Sequence, residues 1–301
     1  MWIYYGLIVT SVVMFGGGFA IQDKYRKNRG SGLRASMESA CIGAFAGLIV
    51  LLAFNKFSID FTAFTLLMAG MAALDGIAFT FCAFKALDYI NLSLFSLFAM
   101  LGGMALPFAQ GILFYGEGMT LAKVICVVFI CASLFCTVER GEKKKGTLFY
   151  IGIFVLNGMA GVLSKLFTAS TLPKTGATEY SMWISISTIV LSGSVWIFLL
   201  VRQRGGDTEE KTDSVAPSKK MLAASYALGA VYGVINRAAN LLLVFALVFV
   251  DSSVQYPMVT GGTMIVSTVL SCFGEEKPNA KEMIGVAIAF IGMCALFFIP
   301  I

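Results

Sequence analysis

The chain contains no histidine among its 301 residues, and this absence removes several kinds of chemistry. Ser-His-Asp and Cys-His catalytic sites require histidine, as do metal sites with imidazole ligands. Seven cysteines are present, but none forms a Cys-x-x-Cys pair, so we interpret them as small apolar packing residues. No glycine-rich phosphate loop of the Walker type occurs, which argues against ATP-driven chemistry. We therefore predict no catalytic site, no metal site, no cofactor and no enzyme.

Charged residues are also scarce, at 13% of the chain, and 58% of the residues are hydrophobic, whereas soluble proteins have about 25% and about 45–50%. The apolar runs are continuous, which favours helices over alternating strands. Because roughly 20 apolar residues cross a bilayer, we predict an all-α membrane protein with ten transmembrane helices. The predicted spans cover residues 2–21, 35–54, 61–84, 91–115, 120–138, 147–168, 177–201, 221–249, 253–273 and 281–300. The first span lacks the basic start and the cleavage site of a signal peptide, so we assign it to the mature protein.

The net charge of +5 is distributed unevenly between the loops. Of the 22 Lys and Arg residues, 17 fall on the side of the loops that follow odd-numbered spans, 4 fall on the other side, and Arg237 lies inside a span. Basic loops are typically cytoplasmic, so we predict that both termini lie outside the cytoplasm, in a bacterial plasma (inner) membrane. The polar segment 203–220 is predicted to be a flexible cytoplasmic linker. This distribution argues against nucleic-acid binding.

A set of short motifs occurs twice in the same order, about 159 residues apart. The first copy reads Ala86-Leu87, Ser93, Gly102-Gly103 and Gly116-Glu117, and the second reads Ala246-Leu247, Ser253, Gly261-Gly262 and Gly274-Glu275. The motifs fall around the fourth and fifth spans and again around the ninth and tenth, so the repeat unit holds five helices. An odd number of helices inverts the second copy in the membrane, a common plan of secondary transporters. We predict two inverted five-helix repeats, residues 1–146 and 147–301.

Two charged residues lie deep within predicted spans, Asp75 in the third and Arg237 in the eighth. A charge at the bilayer centre costs about 2.5–3.5 kcal/mol on insertion scales, so such residues are paired, hydrated or functional. The repeat offset aligns Asp75 with Val234, one turn from Arg237. We therefore expect both charges near the midplane, lining a central hydrated cavity and pairing in one state; a static structural ion pair is the alternative. Asp75 is the only deep acid and is our candidate for proton coupling.

Polar residues also share helical faces. On the eighth span, the polar face falls within an arc of about 140°, which predicts a cavity-lining helix. Hydroxyl residues form a stripe on the ninth span, for which helix packing or bonding to the helix's own carbonyl groups is the alternative. We predict a substrate-binding set of Asp75, Tyr232, Asn236, Arg237, Asn240, Tyr256, Thr260, Thr263, Gln110 and Asn157.

Two further patterns concern helix packing. The pairs Gly43/Gly47 and Gly229/Gly233 have the small-xxx-small spacing that lets helix backbones approach closely, so we predict a packing role for them. Glu38 follows Arg34 by four residues at the start of the second span, and we predict that these two side chains form a surface ion pair.

The Ala-Leu, Ser, Gly-Gly and Gly-Glu motifs in both halves of a ten-helix chain resemble the drug/metabolite transporter superfamily, and especially its EamA-type members. The resemblance covers the whole chain, and the Gly116-Glu117 and Gly274-Glu275 turns are its best markers. It implies alternating access around a central cavity lined by both halves. Ten-helix members commonly have both termini in the cytoplasm, and the basic loop after the first span here departs from that pattern. Gly233-Val-Ile-Asn-Arg237 is similar to the Gly-Ala-Leu-Asn-Lys motif of nucleotide-sugar members.

From these features we expect a secondary transporter that exports a small polar metabolite, such as an amino acid or a similar carboxylate-bearing solute. The interior cations Arg237 and Lys165 favour a substrate with a carboxylate or phosphate. The alternatives are a flippase for lipids or lipid-linked substrates, and an exchanger of nucleotide sugars or phosphorylated metabolites. The expected partners are the small-molecule substrate and the lipid bilayer, while proton coupling and homo-oligomerisation stay open.

Overall fold

In the computed structural model, the part of the chain that is described is helical and contains no strand. This part comprises residues 2–115, 121, 124–125, 128–129, 132–133, 146–204, 219–247, 252–274 and 277–298. Its helices are α1 (Trp2–Arg29), α2 (Leu33–Phe54), α3 (Ala63–Ala86), α4 (Leu92–Tyr115), α5 (Thr147–Ala169), α6 (Ala177–Arg204), α7 (Lys219–Leu247), α8 (Ser252–Cys272) and α9 (Ala280–Phe298).

Nine of the ten predicted spans correspond to these helices. Helices α1–α4 match the first four spans, and α5–α9 match the sixth to the tenth. In the predicted fifth span, residues 120–138, only seven positions are described, and all seven are helical. The remainder of that span, the Gly116-Glu117 turn and most of the predicted linker at 203–220 lie outside the described residues.

Six of the described helices are long and apolar enough to cross a membrane, namely α1 to α6. Their large apolar side chains include exposed ones such as Phe45, Phe198 and Val201, whose exposure suits contact with lipid rather than water. The chain is therefore an integral membrane protein of the α-helical class.

Helix α1 extends to Arg29, whereas the sequence predicted that the span ends near residue 21 and that a loop follows. Lysine and arginine are good helix formers, and cations in the last turn interact favourably with the helix dipole. The helix then stops at Gly30, whose φ of 87° is accessible to glycine without strain and whose N–H donates to the Arg26 carbonyl oxygen at 2.7 Å. The basic segment therefore continues the helix instead of forming a loop.

Within the described part of the chain, eight helices follow one another in a ring, and each makes its largest contacts with its two ring neighbours. The order around the ring is α1, α8, α4, α5, α3, α6, α2, α7 and back to α1. Smaller contacts join α2 to α3, α1 to α4 and α1 to α2. Helix α9 packs against α8 and touches α4. We call the end of the ring where α1 and α3 finish and α2 and α7 begin the basic end, because Arg26, Arg29 and Lys220 lie there. The other end is called the opposite end.

Glycines set the closest approaches in this ring. Gly43 of α2 faces Gly233 of α7 so closely that a Cβ on Gly233 would overlap the Gly43 carbonyl group. On the far side of the ring, a Cβ on Gly102 of α4 would overlap the carbonyl group of Phe154 in α5. The predicted packing role of the small-xxx-small pairs is confirmed, and the repeated Gly-Gly motif in α4 is also a packing surface.

Candidate functional site

Helix α7 has one polar face, and the two edges of that face contact different neighbours. At one edge the Tyr232 ring lies over Gly18 of α1, at 3.6 Å from the Cβ position of that glycine. At the other edge the aliphatic stem of Arg237 lies against Gly47 of α2. Because the face spans about 140°, its centre is directed between α1 and α2 into the ring.

Asn236 and Asn240 occupy the centre of this face. Asn240 is exposed, and its side-chain nitrogen donates to the carbonyl oxygen of Asn236 at 2.8 Å and to the Asn236 side-chain oxygen at 3.3 Å. Val231 and Phe245 are also exposed, but they lie on the far side of α7, where an apolar surface faces outwards. Helix α7 therefore exposes an apolar face to the surroundings and a polar face to the interior of the ring.

In the part of the chain that the structure describes, no carboxylate pairs with the guanidinium group of Arg237. The ion pairs of the described residues involve Arg26, Lys27 and Arg29 and do not include Arg237. Arg237 instead borders a cavity of about 20 Å³, room for about one water molecule. The lining residues come from α2, α6 and α7 and are Leu51, Ala177, Thr178, Ser181, Arg237, Asn240 and Leu241. The first turn of α6 and a cation thus share one cavity, and both favour an anionic group.

Asp75 lies midway along α3, and its Oδ2 atom is buried without a hydrogen-bond partner among the described residues. Helix α3 runs antiparallel to α5, and Gly152 of α5 lies against Cys82 of α3. Asp75 lies seven residues from this contact along α3, and Asn157 lies five residues from it along α5 in the same direction. At a rise of about 1.5 Å per residue, their levels differ by about 3 Å. The carboxylate is therefore level with a polar residue of the neighbouring helix.

Arg237 is level with the hydroxyl stripe of α8. The Ser11 hydroxyl of α1 donates to the Ala239 carbonyl oxygen of α7 at 3.1 Å. Gly262 of α8 lies against the residue that follows Ser11. Since α1 runs antiparallel to α7 and parallel to α8, this register places Arg237 within about 2 Å of the level of Thr263.

Helix α4 connects these two levels. The Thr260 hydroxyl lies 4.0 Å from the Met104 sulfur atom, and the neighbouring Gly103 lies against Asn157. Five of the predicted site residues therefore fall in a layer about one helical turn, roughly 5.4 Å, thick. This central layer holds Asp75, Asn157, Arg237, Thr260 and Thr263. Among the described residues, Asp75 and Arg237 form no ion pair, and their helices α3 and α7 are not neighbours in the ring.

Two predicted amides tie helices together. The Asn157 side-chain nitrogen donates to the Ala99 carbonyl oxygen of α4 at 2.5 Å. The Gln110 nitrogen donates to the Val162 carbonyl oxygen of α5 at 3.5 Å, while its Oε1 atom is buried without a partner among the described residues. Both residues therefore contribute to the contact between α4 and α5, and their part in ligand binding stays a prediction.

The hydroxyl residues of the α8 stripe differ in their hydrogen bonding. Ser267 donates to the Thr263 carbonyl oxygen of its own helix at 2.8 Å, which is the bonding that we gave as the alternative to a cavity face. Thr263 is fully buried, and its hydroxyl oxygen has no hydrogen-bond partner among the described residues. Tyr256 lies in α8, but its side chain is outside the described part of the structure.

Sequence reasoning missed a buried charge cluster at the basic end. Glu38 is fully buried, and its two carboxylate oxygens accept from the Arg29 guanidinium at 2.8 and 2.6 Å. The Tyr25 hydroxyl donates to Glu38 at 2.8 Å. The predicted surface pair of Glu38 with Arg34 is therefore wrong, because Glu38 faces the last turns of α1 rather than solvent. The neighbouring basic run 24–29 is the signal that could have suggested a partner on α1.

Comparison with known proteins supports the fold and no more. No protein-family model and no curated protein matches the chain. A solved crystal structure, described only as that of a protein, resembles 96% of this chain and 99% of its own chain, with a TM-score of 0.58 at 16% identity. At this identity the likeness shows that the arrangement of helices occurs in another protein.

Proposed function

We propose that the chain is a secondary transporter that exports a small polar metabolite bearing a carboxylate, such as an amino acid, by alternating access. The observation that carries this proposal is the inward polar face of α7, where Arg237 has no acidic partner among the described residues. An unpaired cation within a membrane protein is costly, so its retention is best explained by an anionic ligand that completes it. We further propose membership of the EamA-type transporters and a place in a bacterial inner membrane.

We also propose that the chain consists of two inverted repeats, residues 1–146 and 147–301. The order of the helices in the ring supports this proposal. If α1 is exchanged with α5, α2 with α6, α3 with α7 and α4 with α8, every neighbour relation in the ring is preserved. A pseudo-two-fold axis then passes through the ring, which is where secondary transporters with inverted repeats hold their substrates.

Asp75 is the proposed coupling residue. It occupies the central layer, and one of its carboxylate oxygens is buried without a hydrogen bond among the described residues. A carboxyl group at this position can gain and lose a proton as the layer becomes accessible from one side and then the other. The Asp75→Asn variant is expected to bind substrate but to lose proton-driven transport.

The first experiment measures binding. Purified protein in detergent is heated with each of the L-amino acids, and with nucleotide sugars and phosphorylated sugars as rival classes. A ligand at 100 times its dissociation constant stabilises the folded state by about 2.7 kcal/mol, which gives a clear increase in the unfolding temperature. We expect at least one carboxylate-bearing amino acid to stabilise the wild type. The Arg237→Gln variant should lose this effect, and the matched Arg202→Gln variant, which removes an exposed cation at the end of α6, should keep it.

The second experiment measures flux in proteoliposomes that contain the stabilising amino acid. Transport by the wild type and by Arg202→Gln, with loss in Arg237→Gln, is the expected result. If only nucleotide sugars stabilise the protein, the proposed substrate class is wrong, and the chain is instead an exchanger of nucleotide sugars. If a fluorescent phospholipid moves between leaflets and no amino acid is transported, the chain is a flippase and not the proposed transporter.

A further inference from the structure

The last turns of α1 cross the interior of the ring at the basic end. Arg26 forms an ion pair with Asp88, which follows α3, at 2.6 Å between Nη1 and Oδ1. The Phe19 ring packs edge-on against Phe95 of α4 at a centroid distance of 5.2 Å. Helices α3 and α4 are not neighbours of α1 in the ring. These contacts therefore close the space beneath them, between the central layer and the basic end.

Gln22 lies under the ion pair. The residues Phe19, Gln22 and Arg26 are three and four positions apart, so they share one face of α1. Gln22 is only 1% exposed, and neither its Nε2 nor its Oε1 atom has a hydrogen-bond partner among the described residues. Burying an amide without partners is unfavourable, and access of water would relieve this cost. The closed basic end therefore contains a group that favours its opening.

No described contact of this kind exists at the opposite end. There the last turns of α5, the ring counterpart of α1, pack against α3 and α6, and Phe167 stacks between Phe64 and Tyr180 at centroid distances of 6.0 and 3.9 Å. Within the described part of the chain, no aromatic pair and no ion pair joins α5 to α7 or α8. Within the described part of the chain, the ion pair and the aromatic contact that reach across the ring therefore lie at the basic end.

Helix α1 also has a place at which to bend. The run Gly16-Gly17-Gly18 directly precedes the crossing segment, and glycine is the ordinary residue most costly in a helix interior after proline. A Cβ on Gly16 would overlap Val266 of α8, whereas no atom lies within 4 Å of the Cβ position of Gly17. The part of α1 before this run is held by α8, whereas the part after it contacts α2, α3 and α7 through Tyr25 and Arg29.

We propose that residues 19–29 of α1 form a latch that closes the central layer towards the basic end, and that the Arg26–Asp88 pair must break when the layer opens to that side. The latch closes the proposed transporter at the basic end in this structure, so the inference rests on the proposed function. Arg29 is held by the fully buried Glu38 of α2, whereas Asp88 is 32% exposed. Opening therefore separates α1 from α3, including the Tyr25–Phe84 ring contact at a centroid distance of 5.9 Å, while α1 stays attached to α2.

The test uses accessibility and requires no substrate. Gln22→Cys is introduced into a background without the seven native cysteines, and its alkylation by a membrane-impermeant maleimide is timed in vesicles that expose the basic end. In this background we compare Asp88→Asn with Asp23→Asn, the matched control, because Asp23 pairs with Arg26 at 2.8 Å within the same helix. We expect Asp88→Asn to speed alkylation roughly fivefold, the factor that corresponds to about 1 kcal/mol of lost ion-pair energy. Asp23→Asn and Asp88→Glu should change the rate less than twofold.

Equal rates in Asp88→Asn and Asp23→Asn would overturn the latch. Ser96→Cys, fully buried on α4 next to Phe95, serves as a second reporter where Gln22→Cys folds poorly, and the same inequality is expected there. If the latch behaves in this way but no amino acid is transported, the latch is supported and the proposed substrate class is wrong. If amino acids are transported but the Asp88 variant does not change the alkylation rate, the proposed substrate class is supported and the latch is wrong.

Discussion

The ends of α1 and α5 occupy equivalent places in the ring but are held in different ways. At the basic end, α1 reaches α2 through the buried Arg29–Glu38 pair and α3 through Arg26 and Asp88. At the opposite end, the described aromatic contacts of α5 are stacked rings that join it to its ring neighbours α3 and α6. The helix order of the ring is therefore symmetric, whereas the described side-chain contacts at the ends of α1 and α5 are not. This difference teaches that equivalent positions in the helix order can be held by different side-chain contacts.

The largest expected effect is the loss of Glu38. Removal of one partner from a buried ion pair leaves an uncompensated charge and typically costs 3–5 kcal/mol, so we expect Glu38→Ala to lower the free energy of unfolding by about that amount. Unfolding in detergent, followed by circular dichroism, measures this change. At the opposite end, Glu179 accepts from the Gly176 amide at 2.9 Å in an exposed position, and Glu179→Ala should cost only about 1 kcal/mol. Equal losses in the two variants would show that the basic end is not the more strongly held one.

Two buried tyrosines test the same comparison with a smaller expected change in the free energy of unfolding. The Tyr25 hydroxyl donates to Glu38, whereas the Tyr180 hydroxyl is buried without a partner among the described residues. Hydrogen bonds to charged groups contribute about 1.5–3 kcal/mol, so Tyr25→Phe should be destabilised by an amount in that range. Tyr180→Phe should be neutral or slightly stabilised, since it removes an unsatisfied group. The prediction fails if Tyr180→Phe is the less stable of the two in the same unfolding assay.

The smallest expected effect concerns Lys174 at the opposite end. Its ammonium group donates to three carbonyl oxygens at the end of α5, those of Phe167, Thr168 and Ser170. The bonds are largely exposed, so Lys174→Met should cost about 0.5–1 kcal/mol, the size typical of a cation at a helix C-terminus. It should leave the alkylation rate of Gln22→Cys unchanged, and a faster rate would mean that the two ends are coupled directly.

The helices were predictable because their signal is local. Continuous apolar runs located α2 to α9 to within a few residues, since hydrocarbon requires every backbone group to be bonded within the helix. The end of α1 was predicted wrongly because the prediction relied on hydropathy. Its last two turns are polar, and hydropathy detects where a helix leaves lipid rather than where it stops.

The partners of polar residues were much less predictable. The sequence located Asp75 and Arg237 at similar depth, and helix contacts place both in one layer. It did not reveal that the Asn157 amide is occupied by the Ala99 carbonyl group, or that Glu38 turns away from Arg34 towards α1. These choices depend on the packing of helices that are distant in the chain, and one sequence carries no local record of them.

The most direct test of the account is the accessibility of the inward face of α7 from each side of the membrane. Asn240→Cys is labelled with an impermeant maleimide in sealed vesicles of both orientations, with Gly32→Cys and Ser58→Cys as exposed markers of the basic and the opposite end. Phe245→Cys, on the outward apolar face, is the matched control. We predict that Asn240→Cys reacts from the side of Ser58→Cys only and that Phe245→Cys reacts from neither side. If Asn240→Cys is labelled from neither side, the interior of the ring is not hydrated, and the central layer cannot be a substrate site.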